Sequence, residues 1–245
     1  MVAHTFFRMP IQAVRMTSRQ ERSALYRLMA WMSPAYPVGA FSYSGGLEWA
    51  VEAGDMTDAG SLADWLSAVI REGSGFCDAV FLAHAHRSVA AQDDVALGAV
   101  AELAAAFTAS RERFLETTAQ GRAFFEVTRA AWGCAALDRL HTVWSGPLAY
   151  PVAVAVASAG HGIALEPALA AYLQAVAGNL ITAGLRLIPL GQTDSQRVLA
   201  SLEPLITECV DAALKCSLDE VGSAGFRAEI AGMRHETQHT RLFRS

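Results

Sequence analysis

The 245-residue sequence has few charged residues and almost no lysine. Charged side chains make up 18% of the chain, hydrophobic ones make up 53%, and Lys215 is the only lysine. This composition excludes intrinsic disorder over most of the length. The net charge of −5 and the pI of about 5.8 argue against a nucleic-acid-binding surface. A chain of this length can instead bury a large hydrophobic core as a single domain.

Cysteine is also scarce. The sequence contains four cysteines that are far apart and form no Cys-x-x-Cys pair, namely Cys77, Cys134, Cys209 and Cys216. A chain with this much hydrophobic core needs no disulfide framework. We therefore expect four buried thiols in a reducing compartment, the cytoplasm.

Long uninterrupted hydrophobic runs are absent as well. Residues 140–165 and residues 167–185 carry no charge, but glycine, proline, histidine or amide residues interrupt both stretches. A membrane span needs roughly 20 consecutive apolar residues, so both stretches are expected to be core helices. The first twenty residues lack the apolar core of a signal peptide, and residues 1–22 are predicted to be a disordered N-terminal extension.

Helical periodicity dominates the rest of the chain, and no run shows strand alternation. The pattern predicts an all-α fold, a compact single-domain bundle of about 8–10 helices over residues 23–233, with flexible termini and a separate tail over residues 234–245. Ser110 and Asp93 are expected at helix starts. Helices are expected over residues 23–32, 47–53, 62–72, 76–91, from 93–94 onward, 110–132, 151–159, 167–187, 194–215 and 226 to about 239.

The most specific sequence motif is His-Glu-x-x-His, formed by His235, Glu236 and His239. On a helix the two histidines would lie on one face and could bind zinc, with Glu236 as general base. Only residues 240–245 follow, which leaves no downstream third ligand, and the motif lies in a polar segment. A zinc metallohydrolase is therefore an alternative and not the main hypothesis.

No other catalytic motif is present in the sequence. There is no phosphate-binding loop, and the serines at 42 and 44 lack the Gly-x-Ser-x-Gly frame of a nucleophile elbow. The residues themselves predict no catalytic group. A helical interaction module, unrelated to any particular enzyme, is the second alternative.

Three segments of the sequence are distinctive: residues 33–48 (SPAYPVGAFSYSGGLE), 186–196 (RLIPLGQTDSQ) and 235–245 (HETQHTRLFRS). Together they resemble the UreF family of urease accessory proteins. They occur in the family's order and near its usual spacing, and the resemblance covers roughly residues 23–245. The family tail resembles His-Glu-x-Gln-x-x-Arg-Leu-Phe-Arg-Ser. His235 and Glu236 match it, whereas His239 falls on a variable position, so the second histidine is incidental.

The resemblance implies a non-enzymatic maturation factor. Proteins of this family form a homodimer and bind a second accessory protein, called UreD or UreH. That pair recruits the GTPase UreG, and the assembly delivers nickel to apo-urease when GTP is hydrolysed. The resemblance implies no tightly bound cofactor, with nickel at most in transit.

The predicted partner-binding residues lie in these three segments. The tail has arginines, an aromatic residue and no core stripe, so we expect it to be mobile until a UreD-type partner binds. Arg241 and Arg244 would pair with partner carboxylates, while Leu242 and Phe243 would fill pockets. Gln192 is expected either to cap a helix or to contact a partner. The full set is Tyr36, Phe41, Tyr43, Glu48, Gln192, His235, Glu236, Gln238, Arg241, Leu242, Phe243 and Arg244.

Nickel binding by this chain is a separate and weaker hypothesis. Nickel accepts imidazole, carboxylate and thiolate ligands, which makes His235, Glu236 and Cys134 candidates of the right chemical type. The spacing of these three residues in the sequence does not define a nickel site. Any contact with nickel is therefore expected to be transient transfer.

Overall fold

The computed structural model describes residues 18–245, which form an all-helical fold and contain no β-strand. Ten of its twelve α-helices have ten residues or more, and two are shorter. The predicted all-α fold class is confirmed. In chain order the helices are α1 (Ser18–Trp31), α2 (Leu47–Glu52), α3 (Ala59–Arg71), α4 (Ser74–Ala90), α5 (Asp94–Ala106), α6 (Arg111–Ala131), α7 (Ala135–Val143), α8 (Tyr150–Gly160), α9 (Leu165–Leu187), α10 (Gln192–Ser201), α11 (Glu203–Ala213) and α12 (Phe226–His235).

Helix α8 lies at the centre of the fold. Its residues from Pro151 to Ser158 are all buried, and it packs against α4 and α6. Its small valine and alanine side chains allow neighbouring helices to approach closely. A Cβ atom on Gly121 of α6 would lie 2.0 Å from the carbonyl oxygen of Leu148, so only glycine fits there. This packing fixes the position of α6, whose N-terminus carries part of the site.

Side-chain caps begin two of the predicted helices. The carboxylate of Asp93 accepts a hydrogen bond from the amide of Ala96 (2.9 Å), and the hydroxyl of Ser110 accepts one from the amide of Arg113 (3.1 Å). Each bond satisfies an amide that has no partner within its helix. Gln192, by contrast, is the first residue of α10, and no side chain caps that helix. The predicted capping role of Gln192 is therefore wrong.

Two helical segments differ from the sequence prediction. Residues 194–215 form two helices instead of one, with Pro204 in the first turn of α11. A proline is tolerated in a first turn because its missing N–H would have no partner there, so it favours a new helix start. Helix α7 lies in a stretch to which the sequence assigned no helix. It has nine residues, too few for a clear periodic pattern.

Helix α1 begins at Ser18, inside the predicted N-terminal extension. Residues 18–22 of that predicted extension are therefore helical. The remainder of that predicted extension, residues 1–17, lies outside the described residues.

Helix α9 is long and apolar enough to cross a membrane by length and composition. Half of its most apolar 18-residue window is buried inside the fold, where α9 packs against α3, α4, α10 and α11. A core helix has the same properties, so this single helix is weak evidence for a membrane span. Its burial, and that of α8, agrees with the prediction that both uncharged stretches are core helices.

Candidate functional site

The last residues of the chain fold back onto the loop that precedes α2. The amide of Ser44 donates a hydrogen bond to the carbonyl oxygen of Ser245 (2.8 Å), and the amide of Arg244 donates one to the carbonyl oxygen of Ser42 (2.8 Å). Because α12 extends to His235, the tail is residues 236–245 here and not 234–245 as predicted. Two of the three segments that resemble the UreF family are therefore in direct contact.

The third segment reaches the same place through Arg186. Its guanidinium group donates a hydrogen bond to the carbonyl oxygen of Phe41 (3.2 Å) and lies over the ring of Phe243, 4.4 Å from the ring centroid. Phe243 is only 5% exposed and packs into the core of this chain. Phe243 is therefore a core residue, although the sequence shows no core stripe in the tail.

Two glutamates, a histidine and an arginine form what we call the acid clasp: Glu48, Glu112, His235 and Arg241. His235 is the last residue of α12 and is 0% exposed. Its Nδ1 atom lies 2.7 Å from Oε2 of Glu112, and its Nε2 atom lies 3.1 Å from Oε2 of Glu48. Arg241 donates from Nη1 to Oε1 of Glu112 over 2.8 Å. The clasp thus joins α2, α6, α12 and the tail.

Glu48 also binds the backbone of the tail. Its two carboxylate oxygens accept hydrogen bonds from the amides of Leu242 (2.6 Å) and Phe243 (2.9 Å). Burial alone would raise the pKa of Glu48, but the hydrogen bonds from these amides and from His235 outweigh it and lower the pKa. Glu48 is therefore an ionised carboxylate at neutral pH, and it holds the tail in place.

Glu236 is bound at the N-terminus of α6. Its Oε1 atom accepts hydrogen bonds from the amides of Arg111 (2.8 Å) and Glu112 (3.3 Å). The first amides of a helix have no partners within the helix and carry its positive dipole end, so a carboxylate is favoured there. The tail residue Glu236 therefore acts as a cap for a helix distant in sequence.

Close approach of α12 to α2 requires glycine at position 46. Gly46 has a φ of +84°, in the left-handed region, and a Cβ atom there would lie 2.8 Å from the amide nitrogen of Gly232. Glycine alone adopts this conformation at little cost and leaves room for α12. The contact brings His235 within reach of Glu48.

The predicted partner-binding residues separate into buried and exposed groups. The buried ones serve the fold of the chain itself and are Tyr43, Glu48, His235 and Phe243. Tyr36 and Glu236 are half-buried, and the hydroxyl of Tyr36 lies 2.7 Å from that of Thr128. These side chains are packed or hydrogen-bonded against other residues of the described structure.

The exposed group includes Phe41 at 68% and Leu242 at 55%. Arg244 and Gln192 are exposed too, and the Arg241 side chain is 41% exposed although it binds Glu112. Gln238 is half-buried and donates to the carbonyl oxygen of Thr240 (3.1 Å). These residues remain the available part of the predicted contact set.

The structure does not place the His-Glu-x-x-His residues as the zinc metallohydrolase alternative requires. Helix α12 ends at His235, so His239 is not one helical turn along the same face. Both ring nitrogens of His235 face carboxylates, Glu236 caps α6, and His239 is exposed. The geometric premise of the motif, two histidines on one helical face, does not hold.

The three nickel candidates are not brought together either. Among residues 18–245, no group of three or more histidine, cysteine, aspartate or glutamate side chains is placed to hold a metal ion. Cys134 immediately precedes α7 and packs beside Gly160 of α8. In this conformation His235 has no ring nitrogen free for a metal.

A cavity of about 750 Å³ lies beside the clasp, and Ser245 and Glu116 are among the residues that line it. The hydroxyl of Ser245 donates to Glu116 (3.0 Å), and burial raises the pKa of Glu116 despite this bond and the nearby Arg113. Arg113 also pairs with Asp78 at 2.5 Å. The end of the tail is therefore one wall of a cavity lined partly by charged groups.

The sequence reasoning missed Glu112 and Glu116. Both were placed in a predicted helix, and their spacing of four puts them on one helical face. Acids are seldom buried unless they are paired, so the burial of both glutamates indicates a site for cationic groups. That burial is visible only in the structure. No pattern in the sequence around Glu112 and Glu116 indicated that His235 and Arg241 are those cationic groups.

The sequence comparisons agree with the resemblance. A sequence model of the UreF family matches residues 56–203. The urease accessory protein UreF of Rhodopseudomonas palustris strain BisB5 is 61% identical over 228 residues, which cover 93% of this chain and 94% of that protein. UreF of Bradyrhizobium diazoefficiens is 57% identical over 236 residues, which cover 96% and 97%.

The family model does not reach Glu48, His235 or Arg241 of the acid clasp, whereas the two relatives match almost the whole chain. The identity extends far beyond the three motifs. An unrelated helical interaction module is therefore excluded. The chain belongs to the UreF family of urease accessory proteins.

Proposed function

We propose that this chain is a non-enzymatic adaptor in urease maturation. In this role a homodimer binds a UreD- or UreH-type protein, and the pair recruits the GTPase UreG. The assembly then inserts nickel into apo-urease when GTP is hydrolysed. The phosphoryl-transfer chemistry belongs to the GTPase, and this chain supplies binding surfaces. No nucleic acid and no membrane takes part, and the four free cysteines fit assembly in the cytoplasm.

The observation that supports this role most directly is the alternation of side chains along the end of the tail. Leu242 and Arg244 are exposed, whereas Phe243 and Ser245 are buried. Because Phe243 and Ser245 are anchored in the fold, the exposed side chains beside them are held in fixed positions. Arg244 also lies next to the exposed Phe41, because its amide binds the carbonyl oxygen of Ser42.

The exposed side chains indicate which chemical groups a complementary partner surface would present. Leu242 and Phe41 offer apolar surface, and Arg244 offers a guanidinium group with no ion pair inside the described part of the chain. A partner surface with an apolar pocket flanked by carboxylates complements this set. Anchoring before binding reduces the entropy lost on association.

Nickel enters the proposal as cargo. The described side chains form no cluster suited to hold it, so tight storage in this chain is not part of the proposed role. Nickel would be in transit within the larger assembly. Equilibrium dialysis of the purified chain against nickel tests this point: stoichiometric binding near micromolar concentration would contradict it.

The test of the tail surface is co-purification with a UreD- or UreH-type partner, followed by light scattering after size exclusion. We compare the intact chain with Leu242→Asp, which places a charge on the exposed apolar contact. The matched control is Val95→Asp on α5, because Val95 is 85% exposed and distant in sequence from the tail. Thermal unfolding of each variant confirms that the fold is retained.

We expect the intact chain and Val95→Asp to form the complex, and Leu242→Asp to lose at least tenfold in affinity, about 1.4 kcal/mol. Equal binding by all three proteins would show that the tail is not part of the contact surface. No complex with the intact chain would contradict the adaptor role itself.

A further inference from the structure

One face of α1 carries arginine side chains that have no acidic partner. Arg19, Arg22 and Arg27 form no ion pair and no side-chain hydrogen bond within residues 18–245. Most other arginines of the described chain bind a carboxylate or a carbonyl oxygen, as Arg113 does with Asp78. These three guanidinium groups are therefore available to a group outside this part of the chain.

The three arginines line a shallow pocket together with polar and aromatic side chains. What we call the basic face consists of Arg19, Arg22, Ser23, Tyr26 and Arg27, whose spacing places them on one side of a helix. Trp132, at the end of α6, completes the pocket of about 270 Å³. Its ring centroid lies 6.2 Å from that of Tyr26. The pocket lining contains no acidic side chain.

The sequence around the basic face has the opposite charge to the rest of the chain. Residues 1–17 contain no aspartate or glutamate, so they provide no carboxylate for these arginines. Residues 1–27 contain five arginines and a single acid, Glu21, whereas the whole chain has a net charge of −5. Because like charges that lie close together repel one another, the basic face attracts anionic groups.

The spacing of the arginines fits several carboxylates better than a single anion. A helix rises 1.5 Å per residue, so Arg19 and Arg27 are separated by roughly 12 Å along the axis. One phosphate or one carboxylate does not reach across that length. In an extended peptide, side chains on one face recur about every 7 Å, so acids at alternate positions match this span. Each guanidinium group can bind a carboxylate through two hydrogen bonds.

An exposed apolar strip lies beside the basic face. Leu25 is 58% exposed and Met29 is 68% exposed, and their spacing of four places them on one side of α1, next to Arg22 and Tyr26. A peptide brings apolar side chains that can cover this strip, whereas a free inorganic anion has none. The combination of unpaired arginines and adjacent apolar surface therefore favours a protein segment as the occupant.

We propose that the basic face of α1 is a docking surface for an acidic segment of another protein. The segment lies along α1, with its carboxylates on Arg19, Arg22 and Arg27 and an apolar side chain against Leu25 and Met29. This surface shares no residue with the exposed tail surface, and the inference does not depend on the proposed adaptor role.

The test is fluorescence anisotropy of a labelled peptide titrated with the intact chain. The probe is a peptide of three Glu-Leu-Glu repeats, and its control has glutamine in place of every glutamate. We expect the acidic peptide to bind and the glutamine peptide not to bind. Because salt screens exposed charges, affinity for the acidic peptide should fall several-fold when the salt concentration rises from about 0.05 M to about 0.5 M.

Variants of the chain locate the binding surface. The combined variant Arg19→Gln, Arg22→Gln and Arg27→Gln is expected to bind the acidic peptide roughly tenfold more weakly or worse, since it loses the charge-assisted hydrogen bonds. The matched control is Arg122→Gln, because Arg122 is an exposed arginine of α6 that pairs with Glu126. It should bind like the unaltered chain. Thermal unfolding of each variant confirms that the fold is retained.

Four results would overturn the proposal. Equal binding by the combined variant would place the peptide elsewhere, and equal binding of the glutamine peptide would show that charge is not recognised. Arginine-dependent binding to phosphatidylglycerol vesicles, without binding of the peptide, would assign the basic face to a membrane surface. A mass in light scattering that falls in the combined variant, again without peptide binding, would assign it to a second copy of the chain.

Discussion

The Nε2 atom of His235 lies 3.1 Å from a carboxylate oxygen of Glu48, although 187 positions separate the two residues. This contact joins the last turn of α12 to the first turn of α2. Glu48 uses the same carboxylate to bind two amides of the tail. A single buried acid thus links the end of the last helix, the start of α2 and the tail, which carries exposed residues proposed to meet a partner.

Replacement of Glu48 by glutamine is expected to destabilise the fold. Glutamine has one acceptor oxygen where the carboxylate has two, and its amide group would face donors. We expect a loss of roughly 3 kcal/mol in the free energy of unfolding, typical of a broken buried ion pair. Urea denaturation measures it. Glu52→Gln on the exposed face of the same helix is the control and should change stability by less than about 0.5 kcal/mol.

The contribution of Glu48 should disappear in acid. Its pKa is lower in the folded chain than in the unfolded one, because the tail amides and His235 favour the carboxylate. The stabilisation is therefore complete above the ordinary glutamate pKa of about 4.3 and is lost as the pH falls towards the lowered value. The stability difference between the intact chain and Glu48→Gln should be constant from pH 7 to 5 and shrink below pH 4. A difference that did not vary with pH would contradict this explanation.

Gly46→Ala is expected to push α12 away from α2. The new Cβ would meet the amide of Gly232 at 2.8 Å in addition to the cost of a left-handed φ, which is roughly 1–2 kcal/mol for other residues. Gly54→Ala is the control, since Gly54 has a φ of +79° but nothing within 4 Å of the added Cβ. Thermal unfolding should show a clearly larger loss for Gly46→Ala. Equal losses would mean that only the backbone conformation matters.

The two histidines of the His-Glu-x-x-His motif should behave differently. His235→Ala leaves two buried acids without their shared partner and should cost roughly 3–5 kcal/mol, whereas His239→Ala removes an exposed ring and should cost less than about 0.5 kcal/mol. Chemical denaturation measures both. Stoichiometric zinc in the purified chain, together with peptidase activity that both variants abolish, would support the zinc metallohydrolase alternative.

The cysteines should react with a thiol reagent in two groups. Burial raises the pKa of Cys77 to about 12 and that of Cys209 to about 11, so neither forms a thiolate at neutral pH. Cys134 and Cys216 are only partly buried. We expect Cys134 and Cys216 to be labelled in the folded chain, and Cys77 and Cys209 to be labelled only after unfolding. Mass spectrometry after brief labelling identifies the modified residues, and early labelling of Cys77 would contradict its burial.

Local features of the sequence determined much of this protein. Hydrophobic periodicity predicted the all-α fold, and the cap residues Asp93 and Ser110 predicted two helix starts, because these signals act over a few neighbouring residues. Three short segments indicated the family. The segment around α7 was missed because nine residues give a weak periodic signal.

Tertiary structure decided the roles of the tail residues. The pattern at positions 241–244 gave no indication that Phe243 is buried beneath Arg186 while Leu242 remains exposed. Glu112 acquired its role only because α6 lies against the end of α12. Helix propensity is set by near neighbours, whereas the burial and pairing of a charged group depend on residues brought together from distant positions by packing. The sequence therefore determined the helices and the family, and the packing of α2, α6 and α12 determined which charges meet at His235.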